Sequence, residues 1–187
     1  MAGERRLVTF KAPVDVHAVA IAKARADGVT LTDVLVGADG VLSMRAHHSH
    51  DLVPVEVCPL GVDAIGVAAQ AFQGISGQEV EFVADDDGQV VTIVNGVADD
   101  LVTRRVGDRV WRLQGTGFWQ VHPAAPAILT ELVLDATMPA AGERVLDLYA
   151  GAGLFSAALA QAVGPRGRVD AVESAPDSVN DGAASLA

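Results

Sequence analysis

Two carboxylates and a pair of glycines are the residues of this sequence best suited to chemistry. Asp147 precedes Gly151 by four residues, and Gly153 follows at once in the run Val145-Leu146-Asp147-Leu148-Tyr149-Ala150-Gly151-Ala152-Gly153. Val145 to Leu148 read as a short buried strand, Tyr149 to Gly153 as a tight turn, and Leu154 as the start of an apolar helix. Glycines at such a junction accept positive φ and let a ligand lie against the backbone. The helix start beyond them presents free N–H groups and the positive end of its dipole. A second acid, Glu173, closes the run Val169-Asp170-Ala171-Val172, which reads as the next strand. A carboxylate there can accept hydrogen bonds from both hydroxyls of a ribose. The bland alternatives are a glycine turn that only joins strand to helix, and a solvated acid ahead of Pro176. The interval from Asp147 to Glu173 suits strand, turn, helix, turn, strand, and the combined pattern outweighs them.

The glycine pair is not a dinucleotide fingerprint. That motif places a third glycine where this chain has Ser156, to bring helix and strand close beneath a pyrophosphate. Asp-x-x-x-Gly-x-Gly after a strand resembles instead the first motif of class I S-adenosylmethionine-dependent methyltransferases, whose cofactor has no phosphate.

The elements that must position these residues follow from pattern. From Thr30 to Leu113 the sequence consists of short β-branched and apolar runs separated by turn signals, which predicts antiparallel hairpins with one short helix near Gly61 to Phe72. The runs are Val34 to Val36, Val41 to Arg45, Leu52 to Val57, Val80 to Val83, Val90 to Val94, Leu101 to Arg105 and Arg109 to Leu113. Pro54 marks its run as an edge strand or a bend, and Asn95-Gly96 is a turn dipeptide. Beyond Gly117 a helix is expected from Pro123 to Met138, with Ile128, Leu129, Leu132, Val133 and Ala136 on one face. The Val145 strand, a helix from Leu154 to Val163 stopped by Gly164-Pro165, the Val169 strand and a helix near Pro176 complete the chain. The expected class is α+β passing into α/β. An uncertain segment (1–29) and a β-rich central domain (30–116) precede the first, incomplete part of a Rossmann-like domain (117–187). Within the first segment, Leu7 to Phe10 suggests a strand and Val14 to Ala26 a helix.

Bulk properties narrow the classes further. The chain has 187 residues, half of them hydrophobic, with no run as long as a membrane helix and no signal-peptide pattern. One cysteine, Cys58, excludes an internal disulfide framework, and a cytoplasmic protein is expected. The net charge of −11 is unfavourable for nucleic acid, which is bound by neutralising phosphates. Arginine nevertheless clusters at Arg104, Arg105, Arg109 and Arg112, which read most simply as solvated strand faces. His47, His48 and His50 beside Asp51 could suggest a metal, but no matching ligand spacing accompanies them, so polar or RNA-facing roles are preferred. Asp85-Asp86-Asp87-Gly88 starts like a calcium loop but lacks the later glutamate, and is read as a turn.

Gly117-Phe118-Trp119-Gln120-Val121-His122-Pro123, followed by Leu146 to Ser156, resembles the RNA uracil-5-methyltransferase family, which forms 5-methyluridine in tRNA and rRNA. Arg45 to His50 and Val55-Glu56-Val57-Cys58-Pro59 resemble that family's central domain, so the likeness spans about residues 33–187. The resemblance implies S-adenosyl-L-methionine as cofactor and RNA as partner. It implies that Gln120 contacts the cofactor, Tyr149, Gly151 and Gly153 line its pocket, Asp147 lies under the methionine end and Glu173 holds the ribose. It also implies a cysteine that adds to uracil C6 and a base that removes the C5 proton; both are expected beyond residue 187, so no catalytic residue is assigned and the isolated chain is expected to be inactive. Cys58 matches the last cluster-ligating cysteine of iron–sulfur relatives, but residues 1–57 hold no other, so no cluster and no metal site are expected. Two alternatives remain: a methyltransferase acting on a non-RNA substrate, and a non-catalytic cofactor- or RNA-binding module.

Overall fold

The structure is a computed structural model that describes residues 31–186, except 47, 48, 57 and 59. The suggested strand at Leu7 to Phe10 and helix at Val14 to Ala26 lie outside these residues, as do His47 and His48.

Six strands form an antiparallel sheet: β1 (Leu31–Val36), β2 (Leu42–Arg45), β3 (Leu52–Pro54), β4 (Glu79–Ala84), β5 (Val90–Val94) and β6 (Val97–Ala98), in the order β3-β2-β1-β4-β5-β6. Alternation along β4 decides its two faces. Val80, Phe82 and Ala84 point to one side and pack with Val34, Val36 and Ile65, the last from helix α1 (Asp63–Ala71). Phe72 meets Phe82 edge-on at 5.7 Å between ring centroids. Val83 points to the other side and joins Val91, Ile93 and Val102. The proline run is the edge strand that Pro54 predicts, but it stops at Pro54 rather than reaching Val57. A proline nitrogen has no hydrogen to offer the ladder.

Val102 belongs to a separate hairpin, β7 (Leu101–Val106) with β8 (Arg109–Gln114), turned at Gly107. The register sets Val102 opposite Leu113 and Arg104 opposite Trp111, so these four side chains share one face. That face is divided between two neighbours. Val102 packs on the six-stranded sheet, while Trp111 and Leu113 pack with Ala152 and Ala157 of the region that follows. Arg104, read from sequence as solvated, is only 3% exposed. The alternation Val102-x-Arg104 turns it inward, where its Nη1 donates to the Ala84 carbonyl at 2.7 Å and to Asp86 Oδ1 at 3.3 Å. Arg105 stays on the surface and pairs with Asp87 at 2.7 Å. Asp85 Oδ1 accepts from the amides of Asp87 and Gln89, so the aspartate run is a turn whose carboxylates serve the chain itself.

The remaining elements are α2 (Ala125–Thr137), β9 (Arg144–Leu148), α3 (Leu154–Val163), β10 (Arg168–Val172) and α4 (Pro176–Leu186). Helix α2 ends at Met138, itself left-handed at φ 43°. Its apolar face is shallower than expected: Ile128 is exposed, and Leu129, Leu132, Val133 and Ala136 are half-buried. β9 and β10 pair in parallel, Val145 opposite Val169 and Leu148 opposite Val172. The expectation of a buried strand at Val145 to Leu148 is corrected. Leu146 and Leu148 are exposed, and Asp147 is the buried residue. A two-stranded sheet covered by α3 shields one face only, and the period of two sends Leu146 and Leu148 to the other.

Candidate cofactor-binding site

The parallel pairing brings the carboxyl ends of β9 and β10 to one edge, where ligands of α/β sheets bind. The turn after β9 is held from several directions. The Ala150 amide donates to the Val172 carbonyl at 3.1 Å, and the Gly153 amide to the Ala150 carbonyl at 2.9 Å. Trp111 Nε1 donates to the Ala152 carbonyl at 3.1 Å, from a ring that is 1% exposed and lies 5.5 Å from that of Trp119. Helix α4 binds the edge of β8, where Asp181 Oδ2 accepts from the Gln114 amide at 2.9 Å.

Asp147 is buried and accepts from Ser156 Oγ at 2.6 Å. The serine that replaces the third glycine of a dinucleotide motif therefore partners the acid of this one. Glu173 reaches back across the two strand ends. Its Oε2 accepts from the Gly151 amide at 2.9 Å, and its Oε1 from the amides of Ser174 at 2.6 Å and Ala175 at 2.8 Å. The Ala175 amide, then those of Gly151 and Ser174, hold the carboxyl below the usual glutamate range by stabilising its charged form.

Gly151 and Gly153 both have positive φ, 55° and 81°. A Cβ on Gly151 would meet nothing within 4 Å, so this glycine faces open space that a ligand can fill. A Cβ on Gly153 would lie 2.6 Å from Leu186 Cδ1, so that glycine serves packing against α4. Tyr149 is the third positive-φ residue of the junction, at 62°, and is 91% exposed. A bulky residue in the left-handed region is uncommon and marks a constrained turn. It stands directly after β9, two residues before Gly151.

Five of the six residues singled out from sequence thus stand on one edge: Asp147, Tyr149, Gly151, Gly153 and Glu173. Gln120 lines a different cavity, with Arg104, Gln114, Gly115, Gly117 and Trp119, whose walls include none of the other five. Cys58 is half-buried between β3 and α1, where its carbonyl accepts from the Gly61 amide at 3.1 Å. Sequence reasoning missed Ser156 and Trp111 as partners of the turn. A hydroxyl nine residues after Asp147, on the first turn of the following helix, was a usable signal for Ser156; Trp111 had none. Among the described residues no helix is long and apolar enough to cross a membrane.

A glycine turn and two strand-end acids on a parallel pair, joined to an antiparallel sheet, define part of a class I methyltransferase fold. A solved structure agrees. The tRNA (uracil-54, C5)-methyltransferase of Pyrococcus abyssi, in complex with S-adenosyl-L-homocysteine, superposes with a TM-score of 0.64 over 86% of this chain and 52% of that one, at 14% identity. In sequence the chain is 33% identical over 190 residues to a Streptomyces coelicolor protein described as an uncharacterized RNA methyltransferase, which is 84% of this chain and 42% of that protein. It is 47% identical over 58 residues to the 23S rRNA (uracil(1939)-C(5))-methyltransferase RlmD of Psychrobacter arcticus, 31% of this chain and 11% of that one. No protein-family model matches. The resemblance to RNA uracil-5-methyltransferases therefore holds, and the chain spans about two fifths of the length of the Streptomyces relatives it matches.

Proposed function

We propose that this chain forms part of an enzyme that methylates C5 of a uridine in tRNA or rRNA with S-adenosyl-L-methionine. The observation that carries the reading is the carboxyl edge of β9 and β10, where Gly151 lies open beside Glu173. The residues fit the cofactor. The space in front of Gly151 lets a ligand lie against the backbone, and Glu173 Oε2, with one amide partner, keeps a lone pair for a ribose hydroxyl. Asp147, fixed by Ser156, would lie under the methionine end of the ligand, as the resemblance implies. Tyr149 would supply an exposed aromatic surface at the rim, while Gln120, which the resemblance assigns to the cofactor, lines a separate cavity.

The bound cofactor supplies an electrophilic methyl group. The chain's own contribution is to bind and orient it. By the resemblance Cys58 is not the family's nucleophilic cysteine, because it matches instead the last cluster-ligating cysteine of the iron–sulfur relatives. By this reading the 187 residues alone bind cofactor weakly and transfer no methyl group. The domain division proposed is 30–116 and 117–187, with the β7–β8 hairpin as the element through which the two meet.

Calorimetry with S-adenosylhomocysteine tests the reading in a protein extended by a relative's remaining length. Glu173→Ala should weaken binding roughly tenfold or more, as expected on losing charge-assisted hydrogen bonds. Equal affinities for the two proteins would return Glu173 to the role of a helix-start acid.

A further inference from the structure

We propose that Arg104 is a positioning residue that holds Gln120 through a single water molecule bound in the cavity between them. Arg104 is 97% buried, and its Nη1 is used by Ala84 and Asp86. Its Nε–H meets no protein acceptor. A buried guanidinium N–H left without an acceptor is costly, and native proteins resolve nearly every such case with a partner or an ordered water.

The cavity fits that role. It has room for a water molecule. Arg104, Gln114 and Gln120 bring polar side chains to its walls, and Val83, Val102, Leu113, Trp119 and Val121 close much of the rest. A bound water needs two to four polar partners. In the proposed arrangement it accepts from Arg104 Nε–H and donates to the Gln120 amide oxygen. The positive charge of Arg104 is already opposed by Asp86, so the site calls for a neutral acceptor rather than an anion.

The consequence is a link between the six-stranded sheet and the segment that enters the methyltransferase domain. Arg104 is fixed to the end of β4 through Ala84, and Gln120 lies just before α2. A water shared by both sets the side chain of Gln120 in one orientation. The importance of that orientation for the cofactor rests on the proposed function; the water itself does not.

Water–protein cross-relaxation in an isotope-labelled sample of the 187-residue chain tests the link without any ligand. The wild type should show a long-lived water at Arg104 Nε–H and at the Gln120 side-chain amide. In Arg104→Lys, whose ammonium keeps the charge near Asp86 but has no Nε–H, the Gln120 signal to water should vanish and its amide shifts should move. Should Arg104→Lys not fold, Gln120→Leu takes its place, and the water signal at Arg104 Nε–H should weaken or disappear. Absence of the water at Arg104 in the wild type overturns the proposal. So does a Gln120 amide unaltered in Arg104→Lys, or an Arg104 water signal unaltered in Gln120→Leu. Failure of the extended protein to bind S-adenosylhomocysteine would count against the proposed function and leave these readouts intact.

Discussion

The carboxylate of Glu173, at the end of β10, accepts a hydrogen bond from the amide of Gly151, in the turn after β9, at 2.9 Å. The bond ties together the two loops proposed to face one ligand. It also means that the acid proposed to hold a ribose has a structural duty, because the same carboxylate receives the amides that lead into α4.

Glu173 should therefore make stability depend on acid. Its folded-state pKa is depressed by the amides of Ala175, Gly151 and Ser174. Its stabilising contribution is complete above the ordinary glutamate value of about 4.3 and is lost as pH falls through the lower folded value. Asp170 acts in the same direction, held down chiefly by hydrogen bonds from Arg144 and Arg168. Urea midpoints measured from about pH 6 to about pH 3 should fall less steeply for Glu173→Gln than for wild type. Parallel curves would remove Glu173 from the account.

Ser156→Ala should destabilise the fold by about 1–3 kcal/mol, because it strips a buried carboxylate of its hydroxyl partner. Replacing Ser156 and Asp147 together by Ala and Asn should cost less than the sum of the single changes. A double-mutant cycle in urea reads this directly, and additivity would mean that the 2.6 Å contact contributes little.

Gly151→Val and Gly153→Val should fail differently. Both place a side chain at positive φ, a strain of roughly 1–2 kcal/mol. On Gly151 the new side chain enters open space, so cofactor affinity should fall further than thermal stability. On Gly153 it meets Leu186, so stability should fall further than affinity. Melting temperatures and calorimetry on the two variants in the extended protein separate these outcomes.

Cys58 should behave as a plain thiol. Protein purified without oxygen should contain neither iron nor sulfide, and no 5-methyluridine should form when the chain is incubated with labelled cofactor and unmodified RNA. Turnover that survives Cys58→Ala would overturn the cysteine chemistry that the family resemblance implies.

Local signals made much of this molecule legible from its sequence. Asn95-Gly96 and Val106-Gly107-Asp108 have the residues that tight turns require, so the hairpins they join were fixed by local sterics. Gly151 and Glu173 could be placed because a strand–turn–helix–strand pattern fixes where strand ends fall. The depth of each residue was not local. Leu146 and Leu148 have the composition of a core yet lie exposed, since burial depends on which elements cover a face. Arg104 has the composition of a surface yet lies buried, because β7 is pressed between two neighbours and the Ala84 carbonyl and Asp86 stand ready to receive its charge. The hold of Trp111 on the Ala152 carbonyl joins residues 41 apart in the chain. No window of sequence contains both, so that contact was decided only when the hairpin docked against the glycine turn and brought an indole N–H to that carbonyl.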